Sequence, residues 1–275
     1  MVMDTRLGIM IFSIFPLCNC SYTKDTLPKI TNEDFIKECV DIHNKLRSSV
    51  SPKASNMLKM SWDPDLAKTA RAWAKRCEFK HNIYLDTAKM AHPTFNPVGE
   101  NMWTGSLGQF TPTVAIQMWY DEVKNYDYQT QKCTGVCGHY TQVVWANSYK
   151  IGCAVQFCPK VKGFGALSNG AHFLCDYGPA GNYPTRPYKK GNACSDCRGE
   201  KCVKKLCENP NRDEVKGTNF HPVWEIFERN RKLSLTLTLG PLFIILFAIV
   251  VSLIKHYYPR QVTSEELKSK RNNTG

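Results

Sequence analysis

The 275-residue chain contains no long internal repeat and no low-complexity tract, which excludes a repeat array and a disordered polar chain. It holds no Gly-x-Ser-x-Gly elbow and no His-Glu-x-x-His segment, the sequence signatures of an α/β-hydrolase and of a helical zinc protease. Between residues 21 and 232 there is no Asn-x-Ser/Thr sequon, and Asn272-Asn273-Thr274 falls in the region expected to face the cytosol.

Acids are scarce: 24 Asp and Glu stand against 36 Lys and Arg, a net charge of +12. Asp4 and Arg6 cancel, and residues 255–275 carry five bases and two acids, which leaves +9 on residues 21–254. Polyanions such as sulphated glycans or anionic lipid headgroups match that sign, with Lys189-Lys190 and Lys201 to Lys205 as candidate clusters. No nucleic-acid-binding motif accompanies the charge, and nucleic acid is not an expected partner.

Two apolar runs and the cysteines set the compartment. Leu7 to Leu17 follows a short charged start and leads to small residues near Cys20, the pattern of a secretory signal peptide over residues 1–20. Leu233 to Ile254 holds 22 residues without a charge, where about 20 suffice to cross a bilayer. The expected topology is single-pass type I, with residues 21–232 outside and a short tail, 255–275, in the cytosol. Thirteen cysteines suit disulfides in that oxidising setting, and eleven of them lie beyond Cys20, so one is left without an internal partner.

Helical signals come first along the chain. Asn32 opens a helix to about residue 48 with Phe35, Cys39, Ile42 and Leu46 on one face. Asp63-Pro64 opens a second, lined by Leu66, Ala70, Trp73 and Cys77 and expected to stop near His81; Cys77 and His81 then share a face. Thr111-Pro112 opens a third of about four turns through Trp119 and Glu122. Strand-like runs follow at residues 139–146, 151–157 and 171–177, with turns at Asn147-Ser148 and at Gly163 and Gly165. Helices followed by antiparallel strands predict an α+β layered domain. After Pro187, Cys194, Cys197, Cys202 and Cys207 mark a segment too short for its own core. Four such cysteines could ligate zinc, but two crosslinks are the expectation outside the cell.

Gly138-His139-Tyr140-Thr141-Gln142, together with Gly178-Pro179-Ala180-Gly181-Asn182-Tyr183, resembles the signature of the CAP superfamily, the cysteine-rich secretory, antigen five and pathogenesis-related proteins. The resemblance spans about residues 32–187 and implies an α-β-α sandwich with an antiparallel sheet between helices. The domain plan is therefore a CAP domain at 21–187, a cysteine hinge at 188–210, a juxtamembrane linker at 211–232 and a membrane helix at 233–254. The six-cysteine module that follows the hinge in cysteine-rich secretory proteins is absent, so channel block is not implied.

The resemblance also maps a pocket tetrad, His81, Glu100, Glu122 and His139. It implies disulfides Cys77–Cys158, Cys133–Cys137, Cys153–Cys175, Cys194–Cys202 and Cys197–Cys207, with Cys39 left as a buried thiol. It implies further that the loop carrying Tyr126 and Tyr128 can line a sterol site. Two neutral imidazoles, His81 and His139, could hold zinc with open positions for water, the carboxylates orienting the rings. The same four residues could instead lock helices to sheet without binding anything. Ligand binding is the favoured class; the alternatives are a metal- or serine-dependent hydrolase, with Ser106 the nearest serine, and a structural adhesion module. Asp176 departs from the second signature, where an amide, a basic residue or serine usually follows the cysteine.

Overall fold

A computed structural model describes residues 22–257; the expected signal peptide and most of the expected cytosolic tail lie outside the described residues. Residues through Phe220 cluster as one compact unit and the remainder as a second.

Three helices and a sheet build the first core. Helix α1, Glu33–Ser48, starts where the Asn32 side chain accepts the Phe35 N–H, and buries Phe35, Cys39, Ile42 and Leu46. Strand β1 is the pair Ser61–Trp62; α2, Pro64–Ala74, follows an Asp63 cap. Then come β2, Gly99–Ser106; α3, Pro112–Tyr120, continued by a 3-10 turn over Asp121–Asn125; α4, Gly138–Val143; β3, Lys150–Lys160; and β4, Ser168–Gly178. The sheet order is β1-β3-β4-β2, antiparallel except for the short parallel pairing of β1 with β3.

Period-two alternation divides the sheet into two faces. Trp103, Cys153, Phe173, Cys175 and Tyr177 face a core shared with α1, α3 and α4, whereas Met102, Ala154 and Leu174 face Ala70, Trp73 and Ala74 of α2. The sheet is thus sandwiched by helices. At Gly152 the approach of α2 is so close that an added Cβ would lie 2.0 Å from the Ala67 nitrogen.

Three elements differ from the sequence expectation. The second helix ends at Ala74, not near His81. Its last turn tightens, Cys77 takes a positive φ of 51°, and the Cys77 carbonyl accepts the Lys162 N–H beside the Cys77–Cys158 disulfide, so the chain leaves the helix toward β3. Cys77 and His81 therefore share no helical face. Residues 139–146, read as a strand from their β-branched composition, begin as α4 and continue as a turn. Tyr140, Val143 and Val144 are buried at helical spacing, and Glu122 accepts the first backbone N–H groups, so tertiary context overrides the local preference. Strand β2 was not anticipated.

Disulfides join Cys77–Cys158, Cys133–Cys137, Cys153–Cys175, Cys194–Cys202 and Cys197–Cys207, while Cys39 is a buried free thiol whose pKa burial pushes well up. The cysteine segment forms a hairpin, β5, Lys201–Val203, with β6, Leu206–Glu208, and docks on the domain through Cys207 backbone bonds to Met57 and Lys59. A one-turn helix, α5, Pro210–Asp213, follows. In the second unit, α6, Val223–Tyr257, contains a stretch from Leu233 to Tyr257, 25 residues of mean hydropathy 2.7, long and apolar enough to cross a membrane.

Candidate functional site: two carboxylate–histidine pairs

Glu100 stands near the start of β2, with its side chain fully buried. One of its oxygens accepts the Asn82 N–H at 3.0 Å and meets His81 Nδ1 at 2.8 Å. His81 lies in the irregular segment after α2, its side chain 59% exposed. Burial pushes the Glu100 carboxyl up, against the opposing pull of His81 and the Asn82 N–H. His81 is raised above the usual imidazole value of about 6.5 by its bond to Glu100, with partial burial opposing.

The second pair is built on α4. Glu122, in the turn after α3, meets His139 Nδ1 with one oxygen at 2.6 Å; the other accepts the N–H groups of His139 at 3.0 Å and Tyr140 at 3.2 Å. Trp119 stacks on the His139 ring with centroids 6.2 Å apart and donates its indole N–H to the Met102 carbonyl. Asn101 donates to the His139 carbonyl at 3.1 Å. Residues 100–102 of β2 therefore touch both pairs.

A carboxylate accepts and cannot donate, so each Nδ1 carries the proton and each Nε2 is left with its lone pair. That tautomer suits metal ligation, with the carboxylates fixing ring orientation. Zinc, if bound here, would take the two imidazoles of His81 and His139 as its protein ligands. Among the described residues, no three ligand atoms of the tetrad lie within 4.8 Å of one another, so the four do not converge as a three-ligand metal site.

One triad does meet that distance: Asp63, Asp65 and His92, all buried. Asp63 caps α2 through the N–H groups of Asp65 and Leu66, and its other oxygen faces His92 Nε2 at 3.4 Å. Asp65 is held by Lys68 and Thr218. His92 Nδ1 accepts the N–H groups of Thr94 and Phe95, which puts its proton on Nε2. The three could hold an ion by distance, but each already has protein partners, and a protonated Nε2 cannot ligate. Burial pushes Asp63 up, yet its bonds to His92 and to the cap N–H groups prevail and hold it below the usual carboxylate range. Nothing in the sequence spacing joins residues 63, 65 and 92.

Sequence reasoning also missed a relay behind the site. His43 donates from Nδ1 to the Cys39 carbonyl at 2.7 Å, its Nε2 accepts from the Tyr177 hydroxyl at 2.9 Å, and Tyr177 accepts from Asn101 at 3.2 Å. Burial lowers the pKa of His43 to about 3, so this ring is neutral. Arg47, equally buried, donates to the carbonyls of Leu58, Val143, Trp145, Ala146 and Ser148, which pins the chain leaving α4.

The other nominated residues are dispersed. Ser106 donates to Gln109, and no histidine bond to it is found among the described residues. Tyr126 packs on Tyr140, and Tyr128 stacks on Tyr188 and donates to its carbonyl at 2.7 Å. Both tyrosines are half-buried.

Residues 40–177 match the family model described as CAP, the cysteine-rich secretory protein family. Glioma pathogenesis-related protein 1 of Mus musculus is 53% identical over 94% of this chain and 99% of its own length. GLIPR1-like protein 1 of Homo sapiens is 47% identical over 72% of this chain and 81% of its own. Among solved structures, NaASP2 with Zn2+ superposes with a TM-score of 0.50 at 30% identity, covering 64% of this chain and 96% of that one. With that family match and those identities, the chain belongs to the CAP family, the cysteine-rich secretory proteins.

Proposed function

We propose that this protein is a membrane-anchored extracellular CAP protein that binds ligands and holds a divalent cation, zinc, between His81 and His139. The observation that carries the reading is the pair of Nδ1–carboxylate bonds, which leaves both Nε2 atoms available. Support comes from the related structure that contains Zn2+, 30% identical to this chain. Disulfides and an apolar C-terminal helix accord with the secretory pathway and a membrane. In this reading zinc, when bound, supplies a Lewis-acidic centre that can accept a ligand oxygen; His81 and His139 hold it, and Glu100 and Glu122 orient the rings.

The sterol reading has a cleft of about 500 Å³ in its favour on the Tyr126 side, where Tyr126, Trp145, Tyr183 and Pro184 line it together with polar Gln131, Thr141, Asn182 and Thr185; Tyr128 lies outside it. The net charge of the exterior favours anionic ligands. The metal reading is tested by calorimetric titration of the full chain in detergent with zinc. His81→Ala and His139→Ala are each expected to lose most of the affinity, and Glu100→Gln and Glu122→Gln about 10-fold or more. Affinity unchanged in both histidine variants would rule out these ligands.

A further inference from the structure

A cleft of about 550 Å³ runs between the Tyr128 loop, the chain leaving α4 and residues 185–190, with Asn56 at one side. Its size lies inside the range of about 300–1,000 Å³ typical of ligand clefts. Arg186, Lys189 and Lys190 line it, and no carboxylate does. A larger cleft, about 820 Å³, has its lysines compensated by Asp34, Glu38 and Asp41. A third, about 370 Å³, is also cationic through Lys24, Lys29, Arg71 and Lys75, but its lining includes apolar Leu27, Ile30, Val155 and Phe157 and offers one amide side chain.

The Arg186 cleft is built in advance of any ligand. The Arg186 guanidinium donates through Nε to the Tyr128 carbonyl at 3.0 Å and through Nη2 to the Gln129 carbonyl, and lies 5.7 Å from the Tyr128 ring centre. Its Nη1 edge makes no hydrogen bond among the described residues. A guanidinium held this way loses little side-chain freedom when an anion arrives. Backbone bonds from Ser55 to Lys189 and from Gly191 to Lys53 fix the lysine-bearing segment, and the Ala146 N–H to Pro187 carbonyl bond joins the third wall. Lys189 is paired with Asp196, whereas Lys190 has no ion pair among the described residues. The lining also carries the amides of Asn56, Gln129 and Asn147 and the Thr185 hydroxyl, while the Tyr128 ring is taken up by Tyr188 and Arg186.

Cations that meet sulphate or carboxylate, and amides and a hydroxyl that meet ring hydroxyls, form one set of complementary chemistry. We infer that this cleft is a binding site for a sulphated glycan chain, with Arg186 and Lys190 as its anion contacts. The amides and the hydroxyl beside the cations match the repeated ring hydroxyls of a glycan chain, which a lipid headgroup carrying one charged group would leave unused. The inference rests on the reading of the exterior as a binder of anionic ligands and is independent of the metal pocket.

The test is titration of the full chain in uncharged detergent, with metal removed by chelator, using a heparin-derived hexasaccharide and its desulphated counterpart. The wild type should bind the sulphated chain at least tenfold more tightly, with affinity falling as salt is raised. Lys190→Gln, which removes no internal bond, and Arg186→Gln should each weaken binding several-fold, and Lys37→Gln with Lys45→Gln in the larger cleft should not. No binding by the wild type would overturn both the cleft and the anionic-ligand reading. Sulphate-dependent binding unaffected at residues 186 and 190 would overturn the cleft alone. Equal affinity for phosphatidylserine vesicles, lost in the same variants, would assign the cleft to membranes and overturn the glycan.

Discussion

At the scale of single residues, Asp176 offers a direct test of what burial does to a carboxyl. Directly across from Glu100 in the β2–β4 register, it is fully buried, and neither of its oxygens has a hydrogen-bond partner. Burial first, and Glu100 second, push its pKa well above the usual range. A carboxyl whose pKa rises on folding stabilises the fold below its unfolded value of about 3.9 and loses that contribution as pH climbs toward the folded value. Asp176→Asn should therefore stabilise the protein by about 1–3 kcal/mol at pH 7, with a difference that shrinks toward pH 4. Thermal unfolding at the two pH values checks it; a variant less stable at pH 7 would show that the carboxylate is accommodated. The sequence made Asp176 visible as a departure from a motif. Its isolation, like the triad of Asp63, Asp65 and His92, depends on which residues the sheet and loops bring face to face, and no local pattern records that.

At the scale of elements, α1, the start of α2 and the start of α3 were legible because Asn32, Asp63 and Thr111 are caps with the apolar spacing behind them. The strands β3 and β4 were legible as β-rich runs bounded by turn-prone residues. What failed was the segment around His139, where β-branched composition outweighed the helical spacing of Tyr140, Val143 and Val144. The helix there is held from outside, by Glu122 at its start and Arg47 at its end, both distant in sequence. Packing of α2 on the sheet depends in the same way on Gly152. Gly152→Ala places a methyl 2.0 Å from backbone, so either layer must move, and a loss of about 3 kcal/mol or more is expected in denaturant unfolding. A loss below about 1 kcal/mol would mean that α2 is not seated this tightly.

At the scale of the whole molecule, the tetrad residues came to notice through motifs, and the structure arranges them as two separate pairs around the start of β2. The proposed topology predicts that a tag near residue 22 is reached by antibody on intact cells and one after Gly275 only after permeabilisation. Protease removal of the C-terminal tag on intact cells would reverse the orientation. In the proposed metal site each carboxylate sets the tautomer that frees Nε2 for an ion. Proton–nitrogen correlation spectra of the full chain, with ¹⁵N-labelled histidine and before and after one equivalent of zinc, report that tautomer directly. Without metal, Nδ1 of His81 and of His139 should carry the proton, and zinc should shift Nε2 on both rings. A proton on Nε2 of either ring, or Nε2 signals that zinc leaves unmoved, would contradict the proposed site.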